Sequence, residues 1–427
     1  MRLKTRVRSY AKRARKLLRH IGPGFITGAA DDDPSGIATY SQTGVRFGYG
    51  QLWTALFSFP FMAAVQEMCG RIGLVTGSGL SKVIRRHYSR PVLFVAVFLL
   101  FVANTINIGA DLGAMASAVK MVFGLPFVFW LLLLTAVTLL LETFVSYSRY
   151  ARFLKYLTLS LFAYVLVAFT VRQDWSQIAW STLVPRLSFS RDYVLNIVAV
   201  LGTTISPYLF FWQTNQEVEE EIAAHLISGE GDERPRVTKG RLRIMRLDTI
   251  LGMFFSNLVM FFVIVTAAST LRANGVTDIE TATQAAEALR PLAGDLTYAL
   301  FMLGILGTGM LAVPILAGST SYAVAEAFGW RSGLFRKFRD AHGFYGVIVL
   351  ATLVGLVVNF VGIPPFKMLY YTAVLNGLIA PPLLVLILLI SNNRKIMGKR
   401  TNGLLSNALG LIIVAVMAAA GLALFVL

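Results

Sequence analysis

AADDDPSGIATY, residues 29–40, sets three consecutive aspartates, Asp31, Asp32 and Asp33, and a proline inside what otherwise reads as a membrane-spanning helix. Each aspartate at the centre of such a helix costs roughly 2.5–3.5 kcal/mol even on the mild insertion scale. The stretch reads as a broken span whose carboxylates must meet something that offsets that cost.

The rest of the chain favours the broken span. Of 427 residues, 56% are hydrophobic and only 14% are charged, and the mean hydropathy is +0.67. Such a chain is too apolar to clothe itself in a water-wetted surface. Apolar stretches of about 20 residues recur near 21–45, 50–75, 92–120, 126–146, 154–171, 193–217, 247–270, 296–326, 343–362, 366–391 and 404–426. The expected fold is an all-α integral membrane protein with 11 transmembrane helices.

Charge supplies the orientation. The first 19 residues carry nine Lys or Arg and no acid, which predicts a cytoplasmic N-terminus. Alternation then puts Arg85, Arg86 and Arg90 on that side, with Arg149, Arg152 and Lys155, the cluster from Arg234 to Arg246, Arg336, Lys337 and Arg339, and Arg394, Lys395, Lys399 and Arg400. The opposite loops are read as poor in bases, with Arg46, Lys120 and Lys367 as examples. An odd number of spans leaves the C-terminus outside, extracellular or periplasmic, in a plasma or inner membrane. The net charge of +17 is thus explained by the bilayer rather than by nucleic acid. The leader, residues 1–20, runs into the first span without a signal-cleavage pattern. It suits a basic amphipathic helix on the anionic leaflet or a solvated tail. SGEGDERPRVTKG, residues 228–240, reads as a flexible connector. Cys69 is the single cysteine, so no intramolecular disulfide forms, and no Cys or His beside it makes a thiolate metal site.

The sixth span, GTTISPYLFFWQTNQ at 202–216, is also interrupted, at Ser206-Pro207. It lies five places along from the span broken at Asp33-Pro34-Ser35-Gly36, so the two cross in opposite directions. Two inverted five-helix repeats, 21–171 and 193–391, with 404–427 as an added helix, produce this pattern, and substrate binds where the broken helices meet. Pro34 has no N–H for the carbonyl of Ala30, and Pro207 none for that of Thr203. Asp33 and Ser206 are pushed from helical angles, and Gly36 permits further unwinding. The freed carbonyls must face protein, water or a cation. A divalent cation uses carbonyls, hydroxyls and carboxylates together and offsets buried negative charge.

These residues resemble the natural resistance-associated macrophage protein (NRAMP) metal transporters of the amino acid-polyamine-organocation superfamily. GPGF at 22–25 precedes the Asp-Pro motif, and CGRIGLVTGSGL at 69–80 is similar to the family's segment after the second helix. ADLGAMASAVKMVFGLP at 110–126 is similar to its third helix, and NNRKIMG at 392–398 to its segment after the tenth. The departures matter more. The family's Asp-Pro-Gly-Asn is here Asp33, Pro34, Ser35 and Gly36, so the coordinating Asn is missing. The sixth-helix Ala and Met correspond to Thr203 and Ser206, its histidine to Gln213, and the third-helix acid after Asp111 to Ala114. His20, His87, His225 and His342 all fall in or beside loops, leaving no imidazole for a proton relay in the membrane.

The resemblance therefore implies an all-oxygen site of Asp33, Thr203, Ser206 and backbone carbonyls around Ala30 and Gly36, suited to hard cations that keep some water. It looks like the NRAMP-related magnesium transporter branch: Mg²⁺ uptake, with Mn²⁺ as a second substrate, by alternating access and without proton coupling. A proton-coupled Mn²⁺/Fe²⁺ transporter is the alternative reading, followed by a divalent cation channel. Asp31 and Asp32 cannot share Asp33's direction on a helix, and are assigned to outer-sphere water or the pathway. Asp111 either lines the pathway or pairs with a base. Gln213 and Asn376 are further pathway candidates, although Asn376 also suits interhelical hydrogen bonding. Asp33 has a second reading as a helix cap, and the Thr203 and Ser206 hydroxyls as back-bonded to the preceding turn. Glu67, Glu142, Glu217, Glu219, Glu220 and Glu221 are read as a solvated vestibule. An intramembrane aspartyl protease would need two facing aspartates, but no catalytic glycine motif accompanies Asp33 and Asp111. No enzyme activity or cofactor is expected; the partners are divalent ions and lipid, and a single chain suffices.

Overall fold

A computed structural model describes residues 22–145, 158–229, 235 and 237–427. The basic leader with His20, the bases Arg149, Arg152 and Lys155, residue Arg234 and the start of the fifth span lie outside the described residues. Everything described is helix or connection, with no strand among the described residues.

Each expected span has its helix. Span 1 is split into α1 (Pro23–Asp31) and α2 (Pro34–Phe47), and span 2 is α3 (Trp53–Thr76). A short α4 (Leu80–His87) leads to span 3, α5 (Arg90–Phe123), and span 4 is α6 (Phe127–Phe144). Span 5 ends in α7 (Phe162–Thr170), followed by α8 (Trp175–Leu183) outside the bundle's apolar helices. Span 6 is split into α9 (Arg191–Thr204) and α10 (Pro207–Ala223). Spans 7 to 11 are α11 (Lys239–Thr270), α12 (Thr297–Phe328), α13 (His342–Val358), α14 (Pro365–Asn392) and α15 (Leu404–Val426). Among the described residues, seven of these units are long and apolar enough to cross a membrane, and α7 and α13 are shorter apolar helices.

The packing carries the inverted repeat. Span 1 lies on α11 and span 6 on α3, while α5 packs on α6 and α12 on α13. Spans 3 and 8 pack on each other, as do spans 2 and 7. Exchanging each span for the one five places along maps every one of these contacts onto another. α15 lies outside this scheme against α14, α9 and α3.

Charged loops also sort as expected. At one end Arg71 bonds the Arg400 carbonyl and Arg400 that of Val237, while Arg85 reaches the Glu326 carbonyl at the end of α12. At the other, Arg46 pairs with Asp278, Arg272 bonds the Val45 and Arg46 carbonyls, and Lys367 pairs with Glu280. That second end is less bare of bases than expected. The long connection from α11 to α12 brings Arg272 and Arg290, the latter paired to Glu287.

The expected solvated vestibule needs correction. Glu67, Glu142, Glu217 and Glu221 are buried. Glu67 pairs with Arg71 and Arg246, Glu221 with Arg241, and Glu219 accepts the Leu334 N–H. Only Glu220 is exposed. The cause is that α10 runs four turns past its break and stays packed between α3 and α12.

Candidate functional site

The two helix breaks share one backbone geometry. In span 1, Asp32 (φ −82°, ψ 47°) ends α1 and Asp33 (φ −68°, ψ 172°) is extended before Pro34 restarts the helix. In span 6, Ile205 (φ −119°, ψ 59°) and Ser206 (φ −77°, ψ 131°) do the same before Pro207. Proline suits the first helical position, where its missing N–H would have had no acceptor. The unwinding is therefore shorter than expected, two residues at each break, and Ser35 and Gly36 are helical. Gly36 contributes by lacking a Cβ, which would lie 3.3 Å from the Asp31 carbonyl oxygen and 3.4 Å from Thr203 Oγ1.

Asp33 caps α2: its Oδ1 accepts the Gly36 N–H at 2.7 Å and the Ser35 hydroxyl at 2.6 Å. The capping role is thus real, and it occupies one oxygen only. Oδ2 has only two long contacts, Asn107 Nδ2 at 3.3 Å and the Tyr208 hydroxyl at 3.5 Å. Tyr208 has a shorter acceptor in the Ala30 carbonyl, at 2.9 Å.

That last bond corrects the expectation for the freed carbonyls. The Ala30 oxygen takes the Tyr208 hydroxyl from the other broken helix, and the Thr203 oxygen takes the Ser206 hydroxyl at 2.7 Å. Ser206 also reaches the Gly202 oxygen at 2.9 Å, so its hydrogen is spent on its own backbone and only its lone pairs are left. Thr203 is different: its hydroxyl oxygen stands 3.3 Å from that of Ser35 and joins the two breaks.

The other carboxylates surround this junction. Asp31 Oδ2 and Asp32 Oδ1 lie 2.6 and 3.3 Å from the single hydroxyl of Ser256 on α11, and Asp31 Oδ1 has no partner. Both approach Ser256 and none of the hydrogen-bond partners of Asp33. Asp111 on α5 is fully buried with both oxygens unpartnered, and it feels the charge of Asp33. Among the described residues none of the four aspartates is in an ion pair, which removes the basic-partner reading of Asp111. Nor do three His, Cys, Asp or Glu side chains converge on one point among the described residues.

Two further candidates differ in their partners. Gln213 accepts the Thr27 hydroxyl at 2.6 Å and donates to Glu217 at 3.0 Å, two helical turns beyond Ser206. Asn376 on α14 is buried with neither amide atom bonded, so the interhelical hydrogen bond foreseen for it is not made. Sequence reading also missed Asn107, Tyr208 and Ser256. Asn107 had a signal: Asn104, Asn107 and Asp111 mark one face of an otherwise apolar helix. Tyr208 and Ser256 had none.

Comparison with known proteins agrees with this architecture. The chain is 28% identical over 417 residues to the divalent metal cation transporter MntH of Klebsiella pneumoniae subsp. pneumoniae, covering 96% of this chain and 94% of that protein. Its fold matches a crystal structure of the Eremococcus coleocola manganese transporter, bound to an aromatic bis-isothiourea-substituted compound, with TM-score 0.76 and 16% identity over 96% of this chain and 86% of the other. Mhp1, a nucleobase-cation-symport-1 family transporter in a closed conformation with bromovinylhydantoin bound, matches with TM-score 0.60 and 13% identity over 95% and 91%. The model of the natural resistance-associated macrophage protein-like family matches residues 24–427, and the chain belongs to that family.

Proposed function

We propose that the chain transports a divalent metal ion by alternating access, Mg²⁺ first and Mn²⁺ second, without coupling to protons. The observation that carries this is the set of four buried carboxylates at and around the breaks of two helices, with no basic side chain paired to any of them among the described residues. Buried ionised carboxylates are costly without a positive partner, and Asp33 Oδ2, Asp31 Oδ1 and both oxygens of Asp111 have long contacts or no donors among the described residues. Ser35, Thr203 and Ser206 add hydroxyl oxygens, which favour hard ions. The lack of a chelating triad among the described residues suits Mg²⁺, which dehydrates reluctantly and keeps several waters.

In this reading Asp33 binds the ion, and Asp31, Asp32 and Asp111 hold its water or line its path. The repeats 21–171 and 193–391 rock against each other, and 404–427 stays outside the motion. The end bearing Arg85, Arg241, Arg336 and Arg400 is the cytoplasmic one. His87, His225 and His342 stand at helix ends, away from the junction, and the membrane potential supplies roughly 4.6 kcal/mol per 100 mV for inward movement of a divalent ion.

Liposome flux tests the reading. With Mg²⁺ or Mn²⁺ indicators and a pH dye inside, Mg²⁺ influx without acidification is expected, and Asp33→Ala abolishes it. Metal-dependent acidification refutes the uncoupled mechanism, and flux of Mn²⁺ alone refutes the preference.

A further inference from the structure

A pocket of about 420 Å³ opens at the basic end of the molecule, between the end of α6, the loop after α12 and the start of α13. It has no part in the junction described above. Its lining joins two opposite charges. Arg336, Lys337 and Arg339 come from the loop, and Glu142 comes from the last turn of α6. None of the three bases is in an ion pair among the described residues. Glu142 is buried, and neither of its oxygens has a hydrogen-bond partner among the described residues.

The loop is built to hold its shape. Arg336 Nε donates to the Ser332 carbonyl at 3.0 Å, and its guanidinium lies 4.8 Å over the Phe335 ring. Tyr345 of α13 donates to the Arg336 carbonyl at 2.9 Å, and Glu219 of α10 accepts the Leu334 N–H at 2.8 Å. Pro314 of α12, Ile348 of α13 and Val145 and Leu334 beside them give the pocket an apolar wall. Phe144 and Phe338 at the rim are exposed.

We propose that this pocket takes the headgroup of an amino-phospholipid, its phosphate on Arg336, Lys337 and Arg339 and its ammonium on Glu142. Guanidinium and ammonium groups bind phosphate by charge-assisted hydrogen bonds, as a carboxylate binds an ammonium. The apolar wall suits the glycerol backbone and the first carbons of an acyl chain. A choline headgroup has no N–H to give Glu142. An anionic headgroup without an amine satisfies the loop and leaves a buried carboxylate facing neutral hydroxyls at best. Only a zwitterion with a free amine answers both halves.

The full-length chain, delipidated and reloaded from vesicles holding equal parts of phosphatidylethanolamine, its N-methyl and N,N-dimethyl forms, phosphatidylcholine and phosphatidylglycerol, provides the test. Bound lipid is read by native mass spectrometry. Phosphatidylethanolamine should be enriched over phosphatidylcholine by roughly tenfold or more, the effect of one hydrogen bond between charged groups, with the drop at the last methylation. Glu142→Gln should remove that enrichment, and joint substitution of Arg336, Lys337 and Arg339 by Ala should lower retention of every phospholipid. The methylation series uses the unaltered protein and so decides the matter even where a variant fails to fold. Preference for phosphatidylglycerol, or equal retention of all five lipids, overturns the proposal. So does displacement by soluble glycerophosphoethanolamine at the lipid's own concentration, which marks a site for a small phosphoamine.

Discussion

Asp248, near the start of α11, holds the beginning of α1 through three backbone N–H groups. Its Oδ1 accepts from Gly22 at 3.0 Å, and its Oδ2 accepts from Gly24 at 2.8 Å and Phe25 at 3.2 Å. Gly22 is the N-cap residue of α1 and has no side chain to cap with, so the aspartate of span 7 does that work for span 1. Asp248→Asn changes little volume but exchanges one acceptor oxygen for a donor and removes the negative charge at the helix N-terminus. Hydrogen bonds to charged groups contribute about 1.5–3 kcal/mol each, and the helix dipole about 0.3–1 kcal/mol more. With one or two bonds lost, the opening free energy of α1 should fall by about 2–4 kcal/mol, equivalent to roughly 30- to 1000-fold faster amide exchange there.

Hydrogen exchange read by mass spectrometry on peptides spanning 22–31 measures this directly, with α15 as the internal reference. Faster exchange in α1 with α15 unchanged is the expected result. If α1 exchanges at the unaltered rate, the clasp contributes nothing. If both helices speed up together, the substitution loosens the whole fold, and Asp248 has no special hold on span 1.

Tyr208→Phe removes the donor to the Ala30 oxygen and leaves a buried carbonyl alone, a cost of about 1–3 kcal/mol; a lower melting temperature in detergent with Mg²⁺ flux retained but slowed is expected, and an unchanged melting temperature counts against the bridge. Asp31→Asn keeps the Ser256 contact but drops a charge, so Mg²⁺ at 100 times its dissociation constant, which should stabilise the unaltered protein by about 2.7 kcal/mol, should stabilise the variant less; equal thermal shifts exclude Asp31 from the ion's surroundings. Ser206→Met replaces a hydroxyl with a thioether, and competition flux should move toward Mn²⁺ and Cd²⁺; unchanged selectivity means that Ser206 serves only its own backbone.

The broken helices were legible because proline and hydropathy act locally. Pro34 and Pro207 end one helix and begin the next whatever surrounds them, and a run of about 20 apolar residues is a span in any order of packing. Loop charge was legible for the same reason. What the sequence did not disclose depends on residues far apart in the chain. Tyr208 meets Ala30 across 178 positions, and Asp248 meets Gly24 across 224. Before packing is known, Asp248 is one more acid near a helix end and Tyr208 one more membrane tyrosine. The vestibule glutamates were misread on the same ground: the ends of α6 and α10 looked solvated because hydropathy falls there, but neighbouring helices extend past them. Gly28 illustrates the converse, since an added Cβ would lie 2.3 Å from the Gly252 backbone, a contact between spans 1 and 7 that no local rule contains.

A helix interrupted only for bending and one interrupted to bind an ion leave different accounts of their polar groups. At both breaks here the neutral groups are settled within the protein. The Ala30 oxygen has Tyr208, the Thr203 oxygen has Ser206, and the Gly36 N–H has Asp33. A kink needs no more than this, and a chain selected for bending alone would have no reason to keep aspartates beside it. Yet Asp31 Oδ1 and both oxygens of Asp111 are buried without donors, and Asp33 Oδ2 has only long contacts. The deficit is of positive charge rather than of hydrogen bonds. More hydroxyls would not cancel it, because neutral donors solvate a carboxylate without removing its repulsion for the next one. A fixed Lys or Arg would cancel it permanently and close the site. In the proposed reading, a cation that arrives and departs relieves the repulsion while leaving the same carboxylates ready for the next ion, which is the requirement a carrier must meet and a structural kink need not.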